Sequence, residues 1–334
     1  MTAIGPNNIV TVIGGSGFIG RYVVEKLAGT GCRIRVAVRR PERALFLKPL
    51  GDLGQIEPVT VNIRNRRSLE SAIHGADAVV NLVGILFEGG AQRFAAVQAA
   101  GAGDAADIAR TAGVCRFVHV SAIGADASSP ALYARSKAEG EARVRAAFPT
   151  ATILRPSIVF GPEDAFLNRF AGLAMLSPIL PVVGGKTRFQ PVYVGDVAAA
   201  TVAALRLSEA AGGLYELGGP DIYAFRDLLK RMLAWIDRRR CVLDLPFAIA
   251  GLQAALLQWL PVPPLTLDQV RMLRRDNIVD PGAKGLADLD IAPTPLEMIA
   301  PLYLARYRRH APMAGQSYAA GQDKVTINHD DQKN

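Results

Sequence analysis

Cysteine is scarce in this chain of 334 residues, with Cys32, Cys115 and Cys241 as its three thiols. An odd number without metal-ligand spacing excludes a disulfide framework and a thiolate metal site. A reducing compartment is the natural setting, and the thiols are expected to be plain packing residues. The four histidines, His74, His119, His310 and His329, are equally scattered, so each reads as structural or surface and no metal is expected. No stretch reaches the ~18 continuous apolar residues of a membrane span. The longest apolar passage, Phe247 to Leu260, is broken by Gln253 and Gln258 and stopped by Pro261. The opening MTAIGPNNIVTVIGG has neither the basic start, apolar stretch and cleavage site of an export signal nor an Arg- and Ser-rich transit composition. The expectation is a soluble protein, or one held at a membrane by something other than its own span.

Acidic residues are the minority, 30 against 38 basic ones, for a net charge of +8. The basic clusters are Arg39, Arg40 and Arg43; Arg64, Arg66 and Arg67; Arg238 to Arg240; and Arg271, Arg274 and Arg275. Such charge suits a phosphorylated ligand, anionic lipid headgroups or an acidic protein partner, or is a solvated surface. No nucleic-acid-binding signature accompanies it, so no nucleic acid is expected as a partner.

What is present is a large apolar fraction, 50% of residues, enough for a substantial core. Up to Arg155 the pattern alternates short Val- and Ile-rich runs with helical periods. Strands are expected at Ile9–Ile13, Arg33–Val38, Pro58–Val61, Ala78–Leu82, Arg116–Val120 and Thr152–Leu154. Helices are expected near Phe18–Ala28, Arg67–Ile73, Gln92–Ala112 and Leu132–Ala147. Strands apolar on both faces, separated by crossover helices, define an α/β fold with a doubly wound parallel sheet. After Arg155 proline and glycine become frequent and the alternation stops, which implies a smaller C-terminal lobe. The expected division is 7–155 for the dinucleotide-binding Rossmann domain, with later elements returning to the sheet. A substrate-like or docking lobe over 156–312 follows, then a disordered tail over 313–334.

Gly14-Gly15-Ser16-Gly17-Phe18-Ile19-Gly20 joins the first strand to the first helix. Gly14 permits the tight turn, Gly17 the approach of a pyrophosphate, and Gly20 close packing of helix on strand. The phosphates would lie on the helix N-terminus, where free amides and the dipole favour negative charge. The second strand ends in Arg39-Arg40, where an NAD-selective site places an acid for the ribose 2′-hydroxyl. Two guanidiniums suit a 2′-phosphate instead, so NADPH (or NADP⁺) is expected over NAD(H). Asn62 and Ile63 would flank the adenine, and Leu82, Val83 and Gly84 would approach the dinucleotide closely.

Tyr133 and Lys137 are four apart at the start of a helix, so both lie on one face and the ammonium can lower the phenol pKa. With the glycine turn, this resembles the extended short-chain dehydrogenase/reductase superfamily. The resemblance implies Tyr133 as general acid/base, Lys137 on the nicotinamide ribose and Arg155 near the nicotinamide. Ser121 matches the strand-end serine, while the position of the carbonyl-polarising Ser/Thr falls on Ile123. An isoleucine donates no hydrogen bond, and losing such a donor costs on the order of a hundredfold; Ser121 is the alternative donor.

Further motifs narrow the likeness: NLVGIL from Asn81, HVSAIGAD from His119, YARSKAEGE from Tyr133, ILRPSIVFGPEDAFLNRFA from Ile153, FQPVYVGDVAAA from Phe189 and LTLDQVRMLRRDNIV from Leu265. Together they resemble the short-chain-dehydrogenase-like accessory subunit of respiratory complex I and its bacterial homologues, over about Ile9 to Arg309. Phe160–Ala171 and Leu265–Val279 are its most specific parts. The resemblance implies a tightly held, structural NADPH and docking on the peripheral arm, near the quinone-binding region and the membrane surface. The absent transit segment and the Ala- and Arg-rich composition fit a bacterial protein, cytoplasmic and peripheral on the inner face of the inner membrane. Two other readings stay open: an NADP(H)-dependent reductase, dehydrogenase or sugar-nucleotide epimerase using Tyr133 and Lys137, and a dinucleotide-sensing regulator. Asp196 is expected to cap the helix Val197–Leu207. Phe247–Leu260 reads either as an interfacial helix or as a core helix.

Overall fold

The computed structural model describes residues 4–257 and 265–308. The chain alternates through β1 Ile9–Ile13, α1 Phe18–Ala28, β2 Arg33–Val38, β3 Ile56–Thr60, α2 Arg66–Ile73, β4 Ala78–Asn81, α3 Gly101–Thr111, β5 Arg116–Val120, α4 Leu132–Ala147 and β6 Thr152–Pro156. Then follow β7 Val159–Phe160, α5 Leu167–Leu176, β8 Ile179–Val183, β9 Arg188–Phe189, β10 Val192–Tyr193, α6 Val194–Arg206 and β11 Leu214–Leu217. The remainder carries β12 Tyr223–Ala224, α7 Phe225–Trp235, β13 Cys241–Leu245, α8 Phe247–Leu257, α9 Leu267–Met272 and α10 Leu296–Leu304.

Seven parallel strands form the main sheet in the order β3-β2-β1-β4-β5-β6-β11. Residues alternate in facing, so Val10 and Val12 join Val23, Val24 and Leu27 of α1 and Val197 of α6 on one side. Ile13 and Phe117 join Leu69 and Ile73 of α2, Ala105 of α3 and Val144 of α4 on the other. Each such fully buried Val, Leu or Ile contributes about 1.5–3 kcal/mol. Strand order reverses between β1 and β4, and the crevice beyond their carboxyl ends is where this architecture binds ligands.

The doubly wound sheet stands as expected; α6 packs beside α1 and β11 pairs outside β6. The second lobe is held by its own core, in which Phe166, Phe170, Phe189 and Phe225 pack with ring centroids 5.4–6.0 Å apart. Three two-stranded sheets, β7 with β10, β9 with β12 and β8 with β13, complete it.

Several expectations are corrected. The helix expected from Gln92 opens instead with a π-helical turn at Ala95–Ala100 before α3. Gly101 lies there against Ile63: a Cβ on it would stand 2.8 Å from Ile63 Cγ1. Asp196 is not a cap, because Tyr193 occupies the N-cap position and α6 starts at Val194. Its carboxylate, in the first turn, accepts from Thr294 N at 2.7 Å and Thr294 Oγ1 at 2.9 Å. Cys32 is buried as a packing residue, but Cys115 and Cys241 are exposed. Helix α8 buries Ala250 and Ala254 against Val183 and Val270, as a core helix does, while Ile249 and Leu252 stay exposed. Trp259, Pro261–Pro264 and the tail 313–334 lie outside the described residues. Among the described residues no helix is long and apolar enough to cross a membrane, and no group of three or more His, Cys, Asp or Glu is placed to hold a metal.

Candidate dinucleotide site

Gly14 leaves β1 with φ at +85°, a conformation that favours glycine. Its amide donates to Ala37 O of β2 at 2.9 Å, and Gly17 N donates back to Gly14 O at 3.0 Å. A Cβ on Gly20 would lie 2.5 Å from Gly14 O and 2.6 Å from the backbone of Gly15. Only glycine at 20 therefore lets α1 begin this close to the turn. The first intrahelical bond runs from Arg21 N to Gly17 O, which leaves the amides of Phe18, Ile19 and Gly20 for an anion. Ser16 is partly buried at the turn itself.

Arg39 and Arg40 follow β2, both exposed, and neither makes an ion pair within the described residues. A cleft of about 310 Å³ opens beside Arg39 and is walled by Ile85, Leu86, Phe87 and Gln92. Past β3, Asn62 Oδ1 accepts from Arg64 N at 3.2 Å while its backbone exchanges bonds with the Ser68 hydroxyl. Past β4, Leu82 N is bound to Ile13 O, and a Cβ on Gly14 would come 3.1 Å from Val83 Cγ2. Gly84 lies beyond, with Lys137 Nζ 3.3 Å and Gln98 Oε1 3.5 Å from where its Cβ would be.

Helix α4 brings Tyr133 and Lys137 together, with Nζ 5.9 Å from the centre of the Tyr133 ring. Tyr133 also meets Phe94 edge-on at 5.9 Å, and its hydroxyl bonds to no described residue. Burial pushes the phenol up to about 12 and brings the Lys137 ammonium down to about 8, the latter against the opposing pull of Glu141. Lys137 Nζ donates to Val120 O at 3.4 Å. Three buried polar atoms here have no partner: Ser121 Oγ, Gln98 Oε1 and His119 Nε2. The Gln98 amide orientation is set by its neighbours. Ser136 Oγ donates to Tyr133 O, so it must accept from Gln98 Nε2, and Oε1 is left without a partner near Gly84. In the same way Asn81 Oδ1 accepts from Val83 N, its Nδ2 donates to His119 Nδ1, and the imidazole proton falls on Nε2. Full burial, reinforced by Lys137, pushes His119 down to about 3, so it is neutral. Orphaned atoms of both kinds around an ammonium fit the hydroxyls of a bound ribose.

Arg155, expected near the nicotinamide, has its guanidinium engaged by two glutamates. Its guanidinium grips Glu141 through two bonds of 2.9 and 2.7 Å and reaches Glu216 at 3.3 Å. Glu216 accepts in turn from Asp280 N at 2.9 Å. A cavity of about 420 Å³ lies here, walled by Ile123, Arg155, Glu216, Arg274, Arg275 and Asp280. Ile123, at the position expected to carry the carbonyl-polarising hydroxyl, is buried in that wall, and Tyr133, Lys137 and Ser121 are not part of it.

Both motifs singled out after Arg155 fasten the second lobe. Glu163 binds Arg21 at 3.1 Å and the Tyr22 hydroxyl at 2.8 Å on α1. Asp164 accepts from Leu167 N, the first amide of α5, at 2.6 Å and takes the Tyr303 hydroxyl. Asn277 accepts at Oδ1 from Ser157 Oγ and Ile158 N, and Arg275 pairs with Asp126 at 3.0 Å. Gln98, Asn81 and these fastening residues were not singled out one by one in the sequence. The signal available for Gln98 was its being the lone polar residue in the apolar run AAVQAA.

Fold and site together define a Rossmann-type protein of the extended short-chain dehydrogenase/reductase class. The chain belongs to the NAD dependent epimerase/dehydratase family, whose profile matches residues 10–218. It is 37% identical over 322 residues to "NADH dehydrogenase [ubiquinone] 1 alpha subcomplex subunit 9, mitochondrial" of Arabidopsis thaliana, covering 92% of this chain and 80% of that protein. It is also 38% identical over 198 residues to "Ceramide reductase" of Caulobacter vibrioides, covering 59% of this chain and 61% of that one. Among solved structures it superposes on an NADPH-dependent quinone oxidoreductase of Escherichia coli, complexed with NADPH, with a TM-score of 0.69 and 20% identity, over 89% of this chain and 99% of that one. That last likeness is one of fold.

Proposed function

We propose that this chain is an NADPH-binding, non-catalytic accessory subunit of bacterial respiratory complex I, the NADH:quinone oxidoreductase. It stabilises the peripheral arm near the quinone and membrane region, as a peripheral protein on the cytoplasmic face of the inner membrane. The observation that carries the reading is the reach of the similarity. It covers nine-tenths of the chain, second lobe included, in a relative named as a subunit of the mitochondrial NADH dehydrogenase [ubiquinone].

The site supports a ligand that is held rather than consumed. Free amides at 18–20 take the pyrophosphate, with Gly14, Ser16 and Gly17 shaping the turn. Arg39 and Arg40 take the 2′-phosphate, Asn62 and Ile63 flank the adenine, and Leu82, Val83 and Gly84 line the crevice. Ser121, Tyr133 and Lys137 face the nicotinamide ribose, and Arg155 secures the frame around it. When bound, the nicotinamide supplies hydride chemistry, but Ile123 offers no donor to a developing oxyanion. The phenol of Tyr133 is also held above its ordinary range by burial.

The test is to purify the tagged chain from solubilised membranes. NADH:quinone oxidoreductase activity and near-stoichiometric NADPH, identified after acid-free extraction, should travel with it. Recovery of the chain alone, or with NAD(H) in the site, overturns the reading.

A second reading, an NADP(H)-dependent reductase, dehydrogenase or sugar-nucleotide epimerase using Tyr133 and Lys137, is favoured by the likeness to the ceramide reductase. In that case Tyr133→Phe abolishes turnover. In the structural reading the same variant binds NADPH with little loss.

A further inference from the structure

The helix bearing Tyr133 and Lys137 has no cap of its own. Ala131 occupies its N-cap position and has no side-chain acceptor. The acceptors come from the second lobe: Asp268 Oδ1 takes Leu132 N at 2.6 Å, and Asp268 Oδ2 takes Tyr133 N at 2.9 Å. Asp268 lies in the first turn of α9, where Thr266 and Gln269 cap each other's backbone amides reciprocally. One carboxylate therefore joins the first turns of two helices. The segment that follows it is tied down further on, Asp276 to Arg188 at 2.8 Å, Arg275 to Asp126, and Asn277 to Ser157 and Ile158. On the α4 side the position of this turn is passed on. Tyr133 O accepts from Ser136 Oγ, which accepts from Gln98, and Lys137 follows one turn later.

We propose that Asp268 is a positioning residue of the dinucleotide site: it pins the first turn of α4 from the second lobe and so sets how slowly the nicotinamide half is released. The proposal rests on the NADPH-binding reading for its ligand. It also gives the motif Leu265–Val279 a task, that of a clasp closing the second lobe onto the helix of Tyr133 and Lys137. Asp268 acts through the backbone amides of Leu132 and Tyr133.

The experiment compares full-length wild type, Asp268→Ala and Asp268→Asn. NADPH release is followed by nicotinamide fluorescence in a chase with NADP⁺. Affinity for 2′,5′-ADP, which carries the 2′-phosphate but no nicotinamide half, is measured by calorimetry. Asp268→Ala should release NADPH about tenfold faster, within the range of a lost helix cap, while 2′,5′-ADP affinity stays unchanged. Asp268→Asn, which keeps one amide-accepting oxygen, should fall between. Equal weakening of both ligands would mark general loosening and overturn the proposal, as would unchanged NADPH release. Hydrogen exchange at the Leu132 and Tyr133 amides gives a ligand-free readout and should quicken in Asp268→Ala. Wild type binding neither probe sinks the dinucleotide reading and the release effect with it. The exchange rates still decide whether Asp268 pins α4.

Discussion

Beyond β1 and β4 the candidate site is made of backbone, whereas beyond β5 and β6 it is made of side chains supplied from far along the chain. The glycine turn needs only its own seven residues and the strand beside it. The Tyr133 helix needs Asp268, 135 positions away, and Arg155 needs Glu216, 61 positions away. A backbone cradle cannot be varied without losing its shape, while a cradle of side chains can keep its shape and lose its chemistry. Ile123 is where the two differ: it is buried in the wall of a cavity, and its side chain offers no hydrogen-bond donor there.

The comparison is tested most severely at its seam. Arg155→Met leaves Glu141 and Glu216, both nearly inaccessible, without their cation. Breaking a buried pair in this way costs about 3–5 kcal/mol. Urea unfolding should show that loss, and a change below about 1 kcal/mol would mean the seam is held by packing, as a surface pair would be.

On the backbone side, Gly20→Ala brings a Cβ to 2.5 Å from Gly14 O. The forced separation of α1 from the turn should cost about 1–3 kcal/mol and weaken NADPH binding at the same time. Fluorescence titration showing full affinity in this variant would mean that the cradle tolerates more than a glycine.

The smallest effect lies in the buried polar layer between the two. His119 is depressed to about 3 by burial and Lys137, from 6.5 in the unfolded chain. Its contribution is fully present above pH 6.5 and is lost as pH falls toward 3, because the unfolded chain then takes up a proton that the folded one refuses. Stability should fall by about 1.4 kcal/mol per unit of acidification below pH ~6. His119→Asn should lack this component in urea midpoints taken between pH ~6 and ~5. Asp164 and Asp196, whose carboxyls are raised by burial, contribute in the opposite sense in wild type and variant alike, so the difference between the two slopes isolates His119. An unchanged slope in the variant would place the acid sensitivity elsewhere.

Most of the sheet was readable because its signals are local. The expected strands Ile9–Ile13, Arg33–Val38 and Arg116–Val120 and the helices Phe18–Ala28 and Leu132–Ala147 coincide with the structure. Asp196 misled because an acid at a helix start resembles a cap, and only Thr294 shows where its oxygens go. Gln98 went unnoticed because its significance depends on a π-helical turn and on Ser136 in another helix.

The sequence by itself determined the parallel sheet, the glycine turn, the arginines after β2 and the pairing of Tyr133 with Lys137. Each of these follows from a repeat or spacing within a few residues, where backbone geometry leaves few choices. The tertiary structure alone decided that Arg155 is spent on two glutamates, that Ile123 walls a cavity, and that Asp268 caps the helix of Tyr133. Those outcomes depend on which distant acceptor satisfies a buried or helix-terminal donor. Sequence distance carries no record of that choice; the folded packing makes it.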